Sequence, residues 1–471
     1  MVLARLLTPA DFGLVAMVTT FSLLLVSFGL NGTTEAVIQQ EQLDRLLASN
    51  IFWINIGAGL VLTIGFAASG SLLAWFYRDP LVARVSVAIA PSILLANAGY
   101  LHLALLKRTM RFGAVSLNQV YSRLISVVVS IFLAWLGWGY WALVAGAVAQ
   151  PLSLTIGAWA LCPWLPSLPT RKTGTRAMAV FSANVYSIFT INYFARNVDN
   201  LLVGWRFNAV ALGFYKKAYD LFAFPSGQVV APLSDVALAT LSRLRNDSAQ
   251  YTRYLVNSLA VVSFVGMGIG AGLTLTGKDV VRLVLGARWA ESGKIFMLFG
   301  PGIGVMLLYN CYSWIHLSLG KPGRWLRWTF VEAGVTALLF VVALPWGPAG
   351  IAAAWSVSFW ILLIPAFWYA GQPIGLGVSA LVVPMWRYAV ASLVAGCATA
   401  ALIRNTPLWG TPPSAKAALV GIVILSGLFV MLYLGTVILL HRGCAPVRQL
   451  ARLLRELAPT RKATRPATQS V

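Results

Sequence analysis

The chain has 471 residues, 59% hydrophobic and only 10% charged; soluble domains carry charge on about a quarter of their residues, so a soluble enzyme or binding module is excluded. The formal charge of +22 sits in short clusters between long apolar runs, a distribution that reads as membrane topology and argues against a nucleic-acid partner. The four cysteines have no paired spacing for a disulfide framework or metal site, and the opening MVLARLLTPADFG lacks the basic-then-apolar order of a cleavable signal.

Apolar runs long enough to cross about 30 Å of hydrocarbon as helices fall at 12–34, 50–77, 82–106, 115–137, 139–162, 177–203, 210–240, 253–276, 293–319, 324–346, 348–371, 386–403 and 416–440, thirteen in all. Strand-like alternation is not sustained, so helices are the spanning structure. The fold expected is an all-α polytopic membrane protein. Pro91, Pro225, Pro232 and Pro301 interrupt helical runs and free backbone carbonyls, which suits hinges and static bundles alike. Trp135, Trp138, Tyr140 and Trp141 form an interfacial aromatic belt.

Orientation follows from Lys and Arg. The tail after His441 carries seven of them and belongs in the cytoplasm; counting back through alternate loops places 21 basic residues on that side and 12 on the other, the latter including Arg5, Arg206, Lys216 and Lys217. Within the tail, QLARLLRELA sets leucines 450, 453, 454 and 457 opposite Arg448, Arg452 and Arg455, the pattern of an amphipathic helix lying on an anionic leaflet.

The chain also repeats itself. ARLLTPADFG at 4–13 and GWRFNAVALG at 204–213 are equal in length, are offset by 200 residues and each precede a long span; Trp138-Gly139 and Trp346-Gly347 begin corresponding spans at an offset of 208. Two pseudo-symmetric helical lobes followed by two extra helices describe this economically. The expected divisions are an N-terminal lobe at 1–165, a C-terminal lobe at 166–372, two additional transmembrane helices at 373–440 and a basic cytoplasmic tail at 441–471. The span at 177–203 has no counterpart in the first lobe, so the first helix of a fourteen-span fold is expected to be missing ahead of Met1.

LARLLTPADFGLVAM at 3–17, NVDNLLVG and ALGFYKKAYDL within 197–221, and GARWAESG at 286–293 together resemble the Wzx-like polysaccharide exporters of the MOP flippase superfamily, the colanic-acid exporter type. The likeness runs from residue 3 to about 440. It implies a two-lobed flippase, not an enzyme, that moves a lipid-linked oligosaccharide from the cytoplasmic to the periplasmic leaflet of the bacterial inner membrane. The partners it implies are an undecaprenyl-type lipid-linked oligosaccharide, membrane lipids, and polysaccharide polymerase and export machinery. No cofactor is expected, and coupling to a proton or sodium gradient is left open.

Ionisable groups inside spans are costly and mark functional sites by default. Asn192, Arg196 and Asn200 recur every four residues, and Asp199 follows Arg196 by three, so all four fall on one side of the 177–203 helix. That side either lines a cavity in which Arg196 attracts a pyrophosphate or acidic sugar through its planar fork, or holds an Arg196–Asp199 pair that only ties two helices together. Lys216, Lys217 and Asp220 open the next span, either to meet an emerging headgroup or to snorkel at an interface. Arg123 and Glu332 carry opposite charges at an offset of 209, a gate across the lobes or two side chains reaching the cytoplasmic surface. Asp235, His102 and His316 are weaker candidates.

Two other functions fit part of this pattern. A membrane polymerase or glycosyltransferase needs a sizeable outer loop with catalytic carboxylates, but the largest here, 277–292, is short, with Asp279 and Glu291 near its ends. A cation-coupled small-molecule exporter of the same superfamily would favour acidic cavity residues, whereas the candidates here are mainly Arg and Lys.

Overall fold

The computed structural model describes residues 1–28, 43–170, 175–377, 385–405 and 415–448, with a few single positions between, and some residues within helices by backbone alone. Its elements are α1 (Val2–Leu6), α2 (Pro9–Val26), α3 (Arg45–Ala68), α4 (Gly70–Tyr77), α5 (Leu81–Ile89), α6 (Pro91–Arg108), α7 (Phe112–Trp135), α8 (Tyr140–Leu161) and α9 (Thr175–Arg206). There follow α10 (Ala209–Leu244), α11 (Ser248–Leu285), α12 (Ala290–Tyr309), α13 (Tyr312–Ser318), α14 (Pro322–Ala343), α15 (Gly347–Gly371), α16 (Trp386–Asn405) and α17 (Ala415–Leu440). No β-strand occurs among the described residues, and the described part of each of the thirteen predicted spans is largely helical. Among the described residues ten segments are long and apolar enough to cross a membrane; one of these, Pro322–Ile374, contains both α14 and α15. The protein is a multi-pass membrane protein. The amphipathic helix expected around 448–457 lies outside the described residues.

The repeat seen in the sequence recurs in the way its helices begin. At α2, Thr8 Oγ1 accepts from Asp11 N (3.3 Å) while Asp11 Oδ2 accepts from Thr8 N (2.8 Å), a reciprocal N-terminal cap. At α10, Asn208 Oδ1 accepts from Ala211 N (2.9 Å). The two caps stand at the same offset of 200 as the repeated segments, and each satisfies backbone donors that a helix start would otherwise orphan. The turns before α8 and α15 match as well: Gly139 has φ of 54° and Gly347 φ of 73°, a backbone region that side chains disfavour. Pro91 is the first residue of α6 and ends the run begun by α5, because proline brings no N–H to continue the ladder.

Two compact units interleave along the chain. One comprises 1–221, 281–295 and 329–355; the other comprises 222–280, 296–328 and 356–471. The core of the first includes Leu47, Ile51, Phe52, Leu101 and Ala104, with Trp159 and Trp164 packed against it. His102 belongs to this core: it stacks on Trp159 at 4.4 Å and its Nε2 lies 3.1 Å from the Trp164 carbonyl. In the second unit, Tyr433 of α17 donates to the Phe264 carbonyl of α11 (2.7 Å) and stacks on the same ring, which docks the C-terminal helix. Trp328 donates to Tyr309 Oη (2.8 Å), and His316 is buried beside Tyr312.

Candidate functional site on the second repeat

Helices α9 and α10, 32 and 36 residues long, meet at the turn Phe207–Asn208, across which Tyr215 reaches Asp199. Tyrosines fix α9 against α2. Tyr193 Oη donates to the Thr20 carbonyl (2.7 Å) and Tyr186 Oη to the Leu24 carbonyl (2.8 Å), while Phe28 packs edge-on against Tyr186. Each bond gives a phenol a partner at a place where hydrocarbon offers none.

Against this support, the polar residues of α9 separate. Asp199 is 2% exposed. Its carboxylate accepts from Tyr215 Oη on α10 (2.8 Å) and from the Asn200 backbone N–H (2.8 Å). A buried carboxylate is tolerated only with donors of this kind. Asn200, also buried, donates from Nδ2 to Asn197 Oδ1 (3.4 Å), and its own Oδ1 has no partner among the described residues. Asn197 in turn donates to the Tyr193 carbonyl (2.9 Å). Arg196 is exposed. The Arg196–Asp199 contact that the spacing allows does not form among the described residues; Tyr215 takes that place. The Asn192 side chain lies outside the described residues.

In the two positions after Tyr215 the cations divide similarly. Lys216 pairs with Asp220 at 2.5 Å, with both side chains partly exposed. Lys217 places Nζ 3.9 Å from the centre of the Phe12 ring, a cation–π contact. Tyr219 packs edge-on against Trp355. Thus this stretch presents exposed guanidinium groups at Arg196 and Arg206, a Lys216–Asp220 ion pair and a buried carboxylate network at Asp199.

The other candidates lie elsewhere. Arg123 is exposed on α7, and Glu332 is half-buried on α14 and engaged by other groups. No ion pair or hydrogen bond joins the two among the described residues. Asp235 is exposed on α10. No group of His, Cys, Asp and Glu suited to a metal ion occurs among the described residues.

Sequence reasoning missed Tyr215, although a signal for it exists. Residues 199 and 215 are equally distant from position 207 in the turn, so a tight helical hairpin puts them opposite each other. It also missed Trp289, which is fully buried and donates to the Ala4 carbonyl (2.7 Å).

Comparison with known proteins gives a family and a fold. The profile of a family described as "Polysaccharide biosynthesis protein" matches residues 2–294. The succinoglycan biosynthesis transport protein ExoT of Rhizobium meliloti is 22% identical over 335 residues, 71% of this chain and 68% of that protein. The teichuronic acid biosynthesis protein TuaB of Bacillus subtilis is 23% identical over 330 residues, covering 68% and 65% respectively. The lipopolysaccharide biosynthesis protein WzxC of Escherichia coli is 20% identical over 303 residues, covering 63% and 61%. Among solved structures, the lipid II flippase MurJ in an inward closed conformation superposes with a TM-score of 0.70 at 14% identity, over 94% of this chain and 95% of that one. An inward-facing multidrug transporter of the MATE family in the MOP superfamily gives a TM-score of 0.64 at 11% identity, over 79% and 92%. At these identities the two structures speak for the fold alone.

Proposed function

The chain belongs to the polysaccharide biosynthesis protein family, and from that premise we propose that it is a flippase for a lipid-linked oligosaccharide used in surface polysaccharide biosynthesis. The cargo is an undecaprenyl-type pyrophosphate-linked repeat unit. It passes from the cytoplasmic to the periplasmic leaflet of the bacterial inner membrane, with the C-terminus of the protein in the cytoplasm. Movement is by alternating access of two lobes, residues 1–165 and 166–372, with the helices of 373–440 added to them. Polysaccharide polymerase and export machinery receive the product.

The observation that carries this reading is the exposed Arg196 on a polar helix where the buried Asp199 is already satisfied by Tyr215. A guanidinium held on a helix of spanning length, with no protein acceptor among the described residues, suits a diphosphate: its planar fork donates two hydrogen bonds to one phosphate. The same feature disfavours the small-molecule exporter, because a cationic drug is repelled by Arg196 and finds in Asp199 a carboxylate that is buried and occupied. The named relatives, which serve succinoglycan, teichuronic acid and lipopolysaccharide biosynthesis, support a glycan cargo.

The test is complementation. A strain deleted for this protein and supplied with the Arg196→Ala variant is expected to lose surface polysaccharide while the variant accumulates in the membrane at the normal level. Normal export at normal expression would remove Arg196 from the mechanism.

A further inference from the structure

We infer that the start of α3 is a recognition site for a polyproline helix, and that its occupant is the chain's own segment between α8 and α9, held as a strut on which transport depends; the dependence of transport rests on the flippase reading above. Residues 163–170 read Pro-Trp-Leu-Pro-Ser-Leu-Pro-Thr, with proline at every third position. Each proline holds φ at about −65° and turns the residue before it toward extended backbone. The segment is therefore set for the left-handed polyproline helix of about three residues per turn. Cys162, just ahead of it, is already extended, with φ of −123° and ψ of 91°. Such a helix makes no internal hydrogen bonds, so its backbone groups need partners from outside.

The partners recur with the period of that helix. The Trp164 carbonyl lies 3.1 Å from His102 Nε2, and the Trp164 ring packs edge-on against Phe52 and His102. Three residues on, the Ser167 N–H donates to Ser49 Oγ (2.9 Å) and the Ser167 carbonyl accepts from Trp53 Nε1 (2.8 Å). Three further, the Thr170 N–H donates to Asn50 Oδ1 (2.9 Å) and the Thr170 carbonyl accepts from Asn50 Nδ2 (2.7 Å). Ser49, Asn50, Phe52 and Trp53 all lie near the start of α3 and hold the segment by positions 164, 167 and 170, largely through its backbone. Leu165 and Leu168, off that face, are 63% and 79% exposed, and their N–H groups make no hydrogen bond among the described residues. An aromatic-lined groove is how proline-rich peptides are recognised in general. A docked polyproline helix is a semi-rigid spacer. The connection between the repeats is thus a strut as far as Thr170, and the first lobe extends to that residue, past the division at 165 read from the sequence.

Hydrogen exchange resolved to single amides, on the detergent-purified full chain, tests the seat without any cargo. Relative to their intrinsic rates, the Ser167 and Thr170 amides are expected to exchange at least about tenfold more slowly than those of Leu165 and Leu168, because each is held by a hydrogen bond. Asn50→Ala is expected to bring Thr170 to the rate of Leu168. Four amides that exchange alike, or a Thr170 amide unchanged in Asn50→Ala, overturn the inference. A pair of prolines tests the role in transport. Leu168→Pro and Thr170→Pro each set a proline against Pro169 and suit the same helix, but only the second removes an N–H that Asn50 holds. At matched membrane levels Thr170→Pro is expected to lose surface polysaccharide and Leu168→Pro to keep it; equal export by the two overturns the role of the strut. Should Thr170→Pro fail to accumulate, Trp53→Phe, which keeps a ring and removes the bond to the Ser167 carbonyl, takes its place under the same criterion. A parent chain that moves no lipid-linked probe contradicts the flippase reading, whereas the amide protection stands or falls by itself.

Discussion

The Tyr215 hydroxyl donates to the Asp199 carboxylate across 2.8 Å, joining the last turns of α9 to the second turn of α10 where the sequence alone left an arginine partner as one of two readings. A buried acceptor that loses a donor costs more than the bond contributes when formed. Tyr215→Phe is therefore expected to destabilise the protein by about 1–3 kcal/mol, seen as a lower unfolding temperature of the detergent-purified protein. Asp199→Asn, which keeps an acceptor for Tyr215 and removes the charge, is expected to cost less. A Tyr215→Phe variant as stable as the parent would show that the hydroxyl contributes nothing.

Arg196 and lysine are not equivalent in the proposed role. Arg196→Lys retains the charge but loses the two-pronged donor geometry, so export is expected to fall between the parent and Arg196→Ala, with Arg196→Gln close to the latter. Surface polysaccharide measured at matched protein levels checks the order. Full activity in Arg196→Gln would rule out phosphate recognition there.

Lys216 and Asp220 make the opposite expectation. They form an i, i+4 pair with both side chains partly exposed, and such pairs contribute about 0.3–0.5 kcal/mol. Asp220→Asn is expected to shift the unfolding temperature only slightly and to leave export near normal. A large loss of export without a loss of stability would move Asp220 from helix support into the transport path.

The capping residues test the repeat. Thr8→Ala and Asn208→Ala remove equivalent N-terminal caps and are each expected to cost about 1 kcal/mol, measured by thermal unfolding of the purified variants. Similar losses at the two positions fit two copies of one element; a loss at only one breaks the equivalence.

The helices and their repetition were legible because both rest on local rules. Apolar length marks a span, and the segments at 4–13 and 204–213 and the Trp-Gly pairs at 138–139 and 346–347 repeat in residue type. The division of labour within α9 was not legible. Arg196 and Asp199 differ by three residues, about 60° around a helix of 3.6 residues per turn. That angle suffices to put Asp199 against α10 and leave Arg196 exposed, and only the neighbouring helix decides which is which. The close approach of Gly13 to the Ala209 carbonyl and of Gly213 to the Pro9 carbonyl escaped for the same reason: a glycine near a helix start reads as neutral until another backbone lies on it. Trp289 lies far in sequence from Ala4, and no spacing rule connects them.

Carriage of a lipid-linked oligosaccharide across the bilayer is the activity proposed for this protein. The most direct measurement reconstitutes the full chain in liposomes with a fluorescent polyprenyl pyrophosphate-linked oligosaccharide and follows the probe reached by a membrane-impermeant quencher. The account predicts that quenching proceeds beyond the outer-leaflet share in the presence of the protein and slows in Arg196→Ala. Quenching that stops at the level of protein-free vesicles would contradict it.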